Sequence, residues 1–333
     1  MEKKLIEVNK LNTTFQTIAG EIQAVRDISF YINEGESLGI VGESGCGKSV
    51  TMKSIIGLLD DNAHTDAESI MFNGQNILNY SPKQMRKLNG SEIGMIFQDP
   101  MTSLNPVFTI EQQFAEPLKR HLNLNRKQIH KKALEMLEIV GIPMPKERLK
   151  QYPHELSGGL RQRVMIAIAL CCNPRLLIAD EPTTALDVTI QAQILELMEK
   201  MKKLYKMSVV MISHDLGVIS TICTRVLIMY GGKIMEEGSL EDIFYKPMHP
   251  YTAGLLLAVK KNSDGRLVPI KGTPPDLLNP PKGCPFAPRC KYAMKICMQS
   301  MPGVYEEAEG HSCSCWLYHP SVRAKKGDIK IYE

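Results

Sequence analysis

A glycine-rich loop between a buried strand and a helix constrains the fold of this chain more than any other feature. Residues 42–49 fit the pattern G-x-x-x-x-G-K-S. The largely apolar residues 37–41 predict a buried strand before the loop, and the apolar spacing after Lys48 predicts a helix. Backbone N–H groups in such a loop close around phosphate oxygens at the positive end of the helix dipole. The sequence therefore predicts an α/β fold that binds a nucleotide.

Two side chains of this phosphate loop bring charge and metal chemistry. Lys48 is predicted to neutralise the outer phosphates, and the Ser49 hydroxyl to ligate Mg²⁺. Cys46 suggests a redox switch, because Lys48 and the helix N-terminus would lower the pKa of its thiol. The simpler interpretation, a small residue that fits the loop, is favoured. The residues predicted to bind the nucleotide here are Gly42, Ser44, Gly45, Cys46, Gly47, Lys48, Ser49 and Val50.

Two carboxylates follow an apolar run later in the chain. Residues 176–179 predict a buried parallel strand, and Asp180 and Glu181 come directly after it. Ligands of such sheets bind beyond the carboxyl ends of the strands. Asp180 is predicted to hold the magnesium ion with Ser49, and Glu181 to polarise the attacking water. Taken alone, the pair could be a solvated turn.

Two further polar side chains follow predicted strands. His214 comes after the largely apolar residues 208–212, and Gln98 directly follows the strand-like residues 93–97. His214 is predicted to bond the terminal phosphate, and Gln98 to contact the water or the magnesium ion through its amide. Alone, His214 would more often be a structural histidine. Because all these residues fall at the ends of apolar strands, the pattern predicts one catalytic edge with Glu181, His214 and Gln98 as its catalytic residues.

The order of these motifs resembles the nucleotide-binding subunit of an ATP-binding-cassette (ABC) transporter over roughly residues 1–235. The resemblance implies ATP and Mg²⁺ as ligands and an ATPase activity. It also implies a P-loop NTPase cassette with a RecA-like core sheet, an antiparallel β subdomain and a helical lobe at about residues 99–160. Phe15 lies where this family stacks an aromatic residue on adenine; a core aromatic is the alternative.

A short segment before an apolar helix resembles the signature sequence of the same family, which binds the ATP held by another cassette. Its residues are Leu156, Ser157, Gly158 and Gly159. The fifth position, often Gln in the family, is Leu160 here. Because the helical lobe separates Gln98 from this segment, we expect two cassettes to pair head to tail.

Two stretches indicate a subfamily. Residues 99–106 and 249–256 resemble oligopeptide and dipeptide importer ATPases, the D-type subunit of such permeases. This resemblance implies a motor for peptide uptake that works with a second ATPase subunit, a related chain or a second copy, and with two transmembrane permease subunits. An extracytoplasmic solute-binding protein would act indirectly. Met101, Leu104 and Val107 would contact a coupling helix of the permease; local packing is equally compatible.

Other functions stay open at this stage. The same motor could import nickel or another small solute, since its motifs do not encode cargo. A soluble ABC ATPase acting on nucleic acid or ribosomes is a different class, but such proteins usually carry tandem cassettes or coiled-coil insertions. The net charge of +4 arises from mixed signs, which argues against nucleic acid as a partner. The first residues lack the apolar core of a signal peptide, so we expect a peripheral protein at the cytoplasmic face of the membrane.

The tail, residues 236–333, is predicted to form a small extension with a second chemistry. Residues 262–283 are rich in proline and predict an extended arm. Five of the nine cysteines follow, and in a reducing cytosol such a cluster favours metal binding over disulfides. No C-x-x-C pair occurs among them, and the spacing suits an iron–sulfur cubane better than zinc.

A resemblance supports the iron–sulfur interpretation. Residues 283–290, with His311, resemble the C-terminal motif of peptide-importer ATPases that hold a [4Fe–4S] cluster. The implied ligands are Cys284, Cys290, Cys297 and Cys315. Cys313 competes with Cys315 for the fourth position, and zinc or free thiols remain alternatives. A structural role for the cluster is favoured, because no redox substrate site is visible. The cysteines of the cassette are most simply core residues.

Overall fold

The computed structural model describes residues 3–99, 103–184, 186–259 and 269–326. The strands are β1 (Lys4–Thr17), β2 (Gly20–Asn33), β3 (Ser37–Val41), β4 (Ala63–Asp66), β5 (Ser69–Phe72), β6 (Gln75–Asn76), β7 (Ile93–Ile96), β8 (Leu176–Asp180), β9 (Ser208–Ser213), β10 (Arg225–Tyr230), β11 (Lys233–Ser239), β12 (Tyr305–Ala308) and β13 (His311–Cys313). The helices are α1 (Lys48–Ile55), α2 (Pro82–Leu88), α3 (Ile110–Leu122), α4 (Arg126–Ile139), α5 (Pro145–Arg148), α6 (Gly158–Leu170), α7 (Val188–Tyr205), α8 (Leu216–Ile222), α9 (Leu240–Tyr245), α10 (Pro250–Val259), α11 (Lys295–Gln299) and α12 (Pro320–Lys326).

The chain divides into two compact units, each assembled from separate stretches of sequence. The first unit comprises residues 1–4, 32–37 and 79–212, and the second comprises residues 5–31, 38–78 and 213–333. The predicted domain boundary at residue 235 was based on sequence motifs, whereas the compact units are defined by contacts in space and have different boundaries. The tail thus belongs to the same compact unit as the phosphate loop.

The first unit carries parallel strands and most of the long helices. β8 pairs in parallel with both β7 and β9. All five residues of β8 are buried, as expected for a parallel strand covered on both faces. Within the residues predicted to form a helical lobe, the described part of the chain forms α3, α4, α5 and the start of α6. Thr109 caps α3 and Asn125 caps α4, each in a capping box. This unit therefore places Gln98 and Glu181 at the ends of neighbouring strands.

The second unit contains an antiparallel sheet in the order β2-β1-β5-β6, with β4 also paired to β1. Asn73 and Gly74 form the turn between β5 and β6: both residues have positive φ, 47° and 79°, as a two-residue hairpin requires. β1 and β2 are longer than the apolar runs in the sequence indicate, because partly exposed residues extend the hairpin.

The second unit also joins the tail to the strand that precedes the phosphate loop. β10 pairs in parallel with β3 and antiparallel with β11. β11 pairs with β13, which in turn pairs with β12. Residues 269–283, within the predicted arm, contain no helix or strand. Across the described ranges, no helix is both long enough and apolar enough to cross a membrane.

Candidate nucleotide site and cysteine cluster

The phosphate loop encloses the ammonium group of Lys48, the first residue of α1. The residue is only 5% exposed, and its Nζ donates to the carbonyl oxygens of Gly42 at 2.8 Å and Glu43 at 3.1 Å. These bonds direct the positive charge into the curve of the loop. In this position the ammonium group of Lys48 could bind an anion in the loop.

Two glycines of the loop are required by close backbone contacts. A Cβ atom at Gly42 would lie 2.1 Å from the carbonyl oxygen of Met229. Gly47 has a φ of 101°, and a Cβ atom there would lie 2.4 Å from the carbonyl oxygen of Ala24. No side chain in the described part of the protein caps α1. Its first N–H groups are therefore the donors that a phosphate would use.

Cys46 is a packed residue of the loop. It is 4% exposed, and burial raises the pKa of its thiol despite the nearby Lys48. A thiol with a raised pKa is a poor nucleophile near neutral pH. The geometry favours the small-residue interpretation over the redox switch.

Glu181 in the first unit is held in a fixed orientation. It follows β8 directly and has a φ of 46°, a left-handed conformation that costs a non-glycine residue about 1–3 kcal/mol. Its Oε2 accepts hydrogen bonds from Gln98 Nε2 at 3.2 Å and from Thr184 Oγ1 at 2.9 Å, and its N–H donates to the carbonyl oxygen of Ile212 at 2.9 Å. The structure thus brings together Gln98 and Glu181, which the sequence predicts to act together.

The other predicted site residues occupy the ends of strands or the loop itself. Asp180 is the last residue of β8 and is 2% exposed. His214 belongs to the second unit; it comes directly after the last residue of β9 and is exposed. Phe15 in β1 is half-buried, opposite Ala63 of β4, so it is not a fully buried core aromatic. In the loop and α1, Ser44 and Gly45 are exposed, whereas Ser49 and Val50 are half-buried.

The signature-like segment caps α6 in the first unit. Ser157 is the N-cap residue, and its hydroxyl accepts a hydrogen bond from the N–H of Leu160. Leu156 is buried, which anchors the segment, while Ser157 and Gly158 are exposed. A Cβ atom at Gly158 would meet nothing within 4 Å, whereas one at Gly159 would lie 3.1 Å from Ile190 Cγ2. The segment therefore presents Ser157 and Gly158 outward from a helix N-terminus.

One functional contact was not predicted from the sequence. Gln162 in α6 is 1% exposed, and its Nε2 donates to the carbonyl oxygen of Pro182, the residue after Glu181. The bond ties the signature helix to the turn that carries Glu181. Gln162 stands between Arg161 and Arg163, so the local sequence gives no sign that this polar residue is buried.

A groove of about 560 Å³ lies in the first unit beside Phe97 and Leu104, which flank the segment that begins at Gln98, here called the glutamine loop. Phe97, Leu104, Phe108 and Met165 line its apolar part. Of the residues predicted to contact a coupling helix, Leu104 is buried in the wall of this groove, and Val107 is 70% exposed and does not line it. Met101 lies outside the described residues.

Four tail cysteines line one small cavity in the second unit. They are Cys284, Cys290, Cys297 and Cys315. Cys313 is not among the lining residues; it lies in β13, opposite Glu236 of β11. The N–H groups of Tyr292 and Met294 donate to the sulfurs of Cys290 and Cys297, each at 3.4 Å. The fold thus brings four cysteines that are distant in the sequence to the walls of one cavity.

The donor set of this cavity fits an iron–sulfur cluster chemically, since four cysteine sulfurs are its usual ligands. Burial raises the pKa of Cys284 and Cys315 to about 12, so both thiols are protonated near neutral pH, and a bound metal would have to displace their protons. Within the described residues, no group of three or more His, Cys, Asp or Glu side chains is arranged so that it could hold a metal ion. The four cysteines therefore share a cavity, and a cluster bound there stays a prediction.

Comparison with known proteins assigns the family. The family profile described as "ABC transporter" matches residues 25–184, and that described as "Oligopeptide/dipeptide transporter, C-terminal region" matches residues 235–297. The chain is 51% identical over 318 residues to the dipeptide transport ATP-binding protein DppD of Bacillus subtilis (strain 168), covering 95% of each chain. The chain belongs to the ABC transporter family.

Further relatives agree with membership of the ABC transporter family. The oligopeptide transport ATP-binding protein OppD of Escherichia coli (strain K12) is 49% identical, over 94% of this chain and 93% of that one. The ATP-binding cassette MJ0796, solved as a dimer in a post-hydrolysis state with ADP and phosphate, superposes with a TM-score of 0.64 at 27% identity, over 71% of this chain and 98% of that one. The predicted ABC cassette fold and the ATPase class are thereby confirmed.

Proposed function

We propose that this chain is the ATP-hydrolysing motor subunit of an importer of dipeptides or oligopeptides. The observation that carries the proposal is the extent of the similarity. Relatives named as dipeptide and oligopeptide transport ATP-binding proteins are 51% and 49% identical to it over almost its whole length. The tail matches the C-terminal region of such transporters as well. Since motor motifs do not encode cargo, the tail is what favours peptide over nickel or another solute.

The proposed division of labour in hydrolysis follows from the side chains. Gly42 and residues 44–50 bind the phosphates of ATP, with Lys48 as the charge partner, and Phe15 stacks on the adenine. Ser49, Asp180 and Gln98 contact the magnesium ion, which neutralises phosphate charge when bound. Glu181 polarises the attacking water, and its contacts with Gln98 and Thr184 hold the carboxylate in place. His214 bonds the terminal phosphate.

The exposed signature segment is proposed to complete the ATP site of a second cassette. Ser157 and Gly158 point outward from the N-terminus of α6, where N–H groups favour an anion. The related cassette MJ0796 is described as dimeric. We propose a head-to-tail pair in which each chain offers its signature to its partner, either a related ATPase or a second copy. Closing and reopening of this pair would then follow ATP binding and hydrolysis.

The groove beside the glutamine loop is proposed to receive a short helix from a membrane-spanning permease subunit. Its apolar wall includes Phe97 and Phe108, which are 38% and 46% exposed, beside the buried Leu104. Such rings are accessible to an apolar helix face. Gln98 adjoins Phe97, so a helix seated there would act on the contact between Gln98 and Glu181. We therefore also propose that the chain lies peripherally at the cytoplasmic face of the membrane.

Isolation of the intact complex tests the proposed function. The chain purified from its native membrane should bring with it two multispanning proteins, and vesicles containing that complex should take up labelled dipeptide when supplied with ATP. Uptake should stop when the chain carries Lys48→Ala. Uptake of nickel without peptide would reject the cargo. ATPase activity stimulated by nucleic acid or ribosomes, with no membrane partner, would reject the class.

We also propose that the four cavity-lining cysteines hold a [4Fe–4S] cluster. Such a cluster, when bound, links four segments of the tail through strong metal–sulfur bonds. The chain contributes the buried cavity and the N–H donors to Cys290 and Cys297. Hydrogen bonds of this kind stabilise sulfur that carries negative charge. The cluster would hold these segments of the tail together, a structural role.

Serine substitutions test the ligand set. Anaerobically purified protein should be brown, with iron and sulfide in similar amounts, and serine at Cys284, Cys290, Cys297 or Cys315 should bleach it. Cys313→Ser is the matched control, because Cys313 is buried within two residues of Cys315 but does not line the cavity. Trp316 does line it, so its emission should be weak in brown protein and rise after bleaching. Zinc without sulfide would reject the cluster, and colour retained in Cys315→Ser would assign Cys313.

A further inference from the structure

Three aromatic rings pack together in the second unit. Tyr230 at the end of β10, Tyr251 in α10 and Phe286 in the cysteine-rich tail have ring centroids 4.5–5.4 Å apart. All three are at most 3% exposed. The packing joins the tail to the strand and helix near the phosphate loop. Two of the rings carry hydroxyl groups, and both hydroxyls are hydrogen-bonded.

These hydroxyls and one arginine reach the loop at Glu43. The N–H of Glu43 donates to the Tyr251 hydroxyl at 2.9 Å. Arg289, which directly precedes Cys290, donates from Nη1 to Glu43 Oε2 at 2.7 Å and to the Tyr230 hydroxyl at 2.9 Å. Its side chain is 5% exposed and that of Glu43 is 24% exposed. The ion pair is therefore much less screened than one on the surface.

The direction of the guanidinium group is fixed by the tail itself. Arg289 Nε donates to the carbonyl oxygen of Lys271 at 2.9 Å, and Nη2 donates to that of Ile270 at 3.0 Å. Each of its three nitrogens thus has a hydrogen-bond partner. Because two of the partners are backbone carbonyls, the group is anchored to the tail and offers its remaining donors to Glu43 and Tyr230.

Glu43 occupies a position where a carboxylate is unfavourable for an anion-binding loop. It is the second residue of the phosphate loop, and its carbonyl oxygen holds Lys48 Nζ at 3.1 Å. An unpaired negative charge so close to the loop would repel the phosphates of a nucleotide. It would also draw the ammonium group of Lys48 away from them. The loop therefore needs a cation to balance Glu43, and the tail supplies it.

We infer that Arg289 neutralises Glu43 and thereby sets the affinity of the phosphate loop for ATP. Arg289 is a positioning residue: it acts on the nucleotide through Glu43 and Lys48, from a tail segment that also carries the proposed cluster ligands. The inference rests on the proposed function, since it assumes that the loop binds ATP. It assigns the tail a part in the motor site, in addition to its structural role.

Equilibrium binding of MgATP to the full chain tests the inference. Arg289→Met leaves Glu43 charged and unpaired, and it should weaken ATP binding about tenfold, the equivalent of about 1.4 kcal/mol. Arg289→Lys keeps the charge and should recover most of the loss. In a Glu43→Gln background, the same Arg289→Met change should cost less than about threefold, because no unpaired carboxylate remains.

The melting temperature separates this role from simple docking of the tail. The double variant still lacks the bonds from Arg289 to Tyr230 and to the tail carbonyls, so its melting temperature should stay as low as that of Arg289→Met while its ATP affinity recovers. Equal losses of ATP affinity in the two backgrounds would overturn the inference.

The variant Lys48→Ala distinguishes this inference from the proposed function on which it rests. If it leaves ATP binding intact, the proposed function fails; if it weakens binding while Arg289→Met does not, only this inference fails.

Discussion

Replacement of Glu181 by glutamine is expected to lower steady-state ATP hydrolysis by about 100-fold or more while ATP binding is retained. Glutamine has the size of glutamate and can still accept the hydrogen bonds from Gln98 and Thr184. It cannot take up the proton of the attacking water. ATP should therefore remain bound, and the closed pair of cassettes should accumulate. Measurements of nucleotide affinity and turnover on the same preparation check this expectation.

Two reference variants make the result specific. Glu138→Gln, an exposed carboxylate of α4 in the same unit, should leave turnover unchanged. Lys48→Ala should show the reverse pattern, because it removes the phosphate charge partner and weakens binding itself. Normal turnover in Glu181→Gln would remove this residue from the mechanism. Loss of binding in that variant would instead indicate that the carboxylate supports the nucleotide site.

The substitution Gly158→Asp is expected to lower hydrolysis at the ATP site of the partner cassette by on the order of 100-fold, because a negative charge would face the terminal phosphate. The structure indicates that the chain can accommodate this substitution without a steric clash. A Cβ atom at Gly158 would meet nothing within 4 Å, and the residue is exposed. An aspartate in the first turn of α6 also suits the helix dipole, so the variant should fold.

A mixed pair of cassettes gives the decisive measurement. When one chain carries Gly158→Asp and the other chain is unaltered, the site built on the phosphate loop of the unaltered chain should lose activity. The altered chain should still bind ATP on its own. Gly158→Ala, which adds bulk without charge, should retain most of the activity. Loss confined to the phosphate loop of the altered chain would contradict the head-to-tail arrangement.

The local sequence was sufficient to predict the structure of those short segments whose conformation depends on a few neighbouring residues. The phosphate loop follows from glycine spacing between an apolar strand and a helix, and the turn at Asn73 and Gly74 follows from residues that tolerate positive φ. The signature segment caps α6 because Ser157 is a good N-cap residue. In each case the physical cause lies within a few residues. The order of these segments along the chain then indicated the ABC cassette.

Contacts between segments that are distant in the sequence could be identified only from the tertiary structure. The sequence ranked Cys315 and Cys313 only by resemblance, since spacing along the chain does not say which sulfur enters a cavity; in the fold, Cys315 lines it and Cys313 does not. Spacing also gives no sign that Gln162 reaches the turn after Glu181, or that Glu181 is held with a positive φ. These features depend on how strands and helices pack.

The phosphate loop and the strand ends with their carboxylates could be predicted without coordinates, because each is a local pattern of glycine, apolar and charged residues. The class of motor followed from the resemblance of these motifs to ABC cassettes. The contacts of the tail, in contrast, depend on three-dimensional packing. Arg289 and Glu43 are 246 positions apart in the chain, and no periodicity or motif pairs them. Packing of the tail against β10 and α10 brings the two charges within 2.7 Å. Burial then makes that pair matter to the phosphate loop, since a charge removed from water must be balanced by its neighbours.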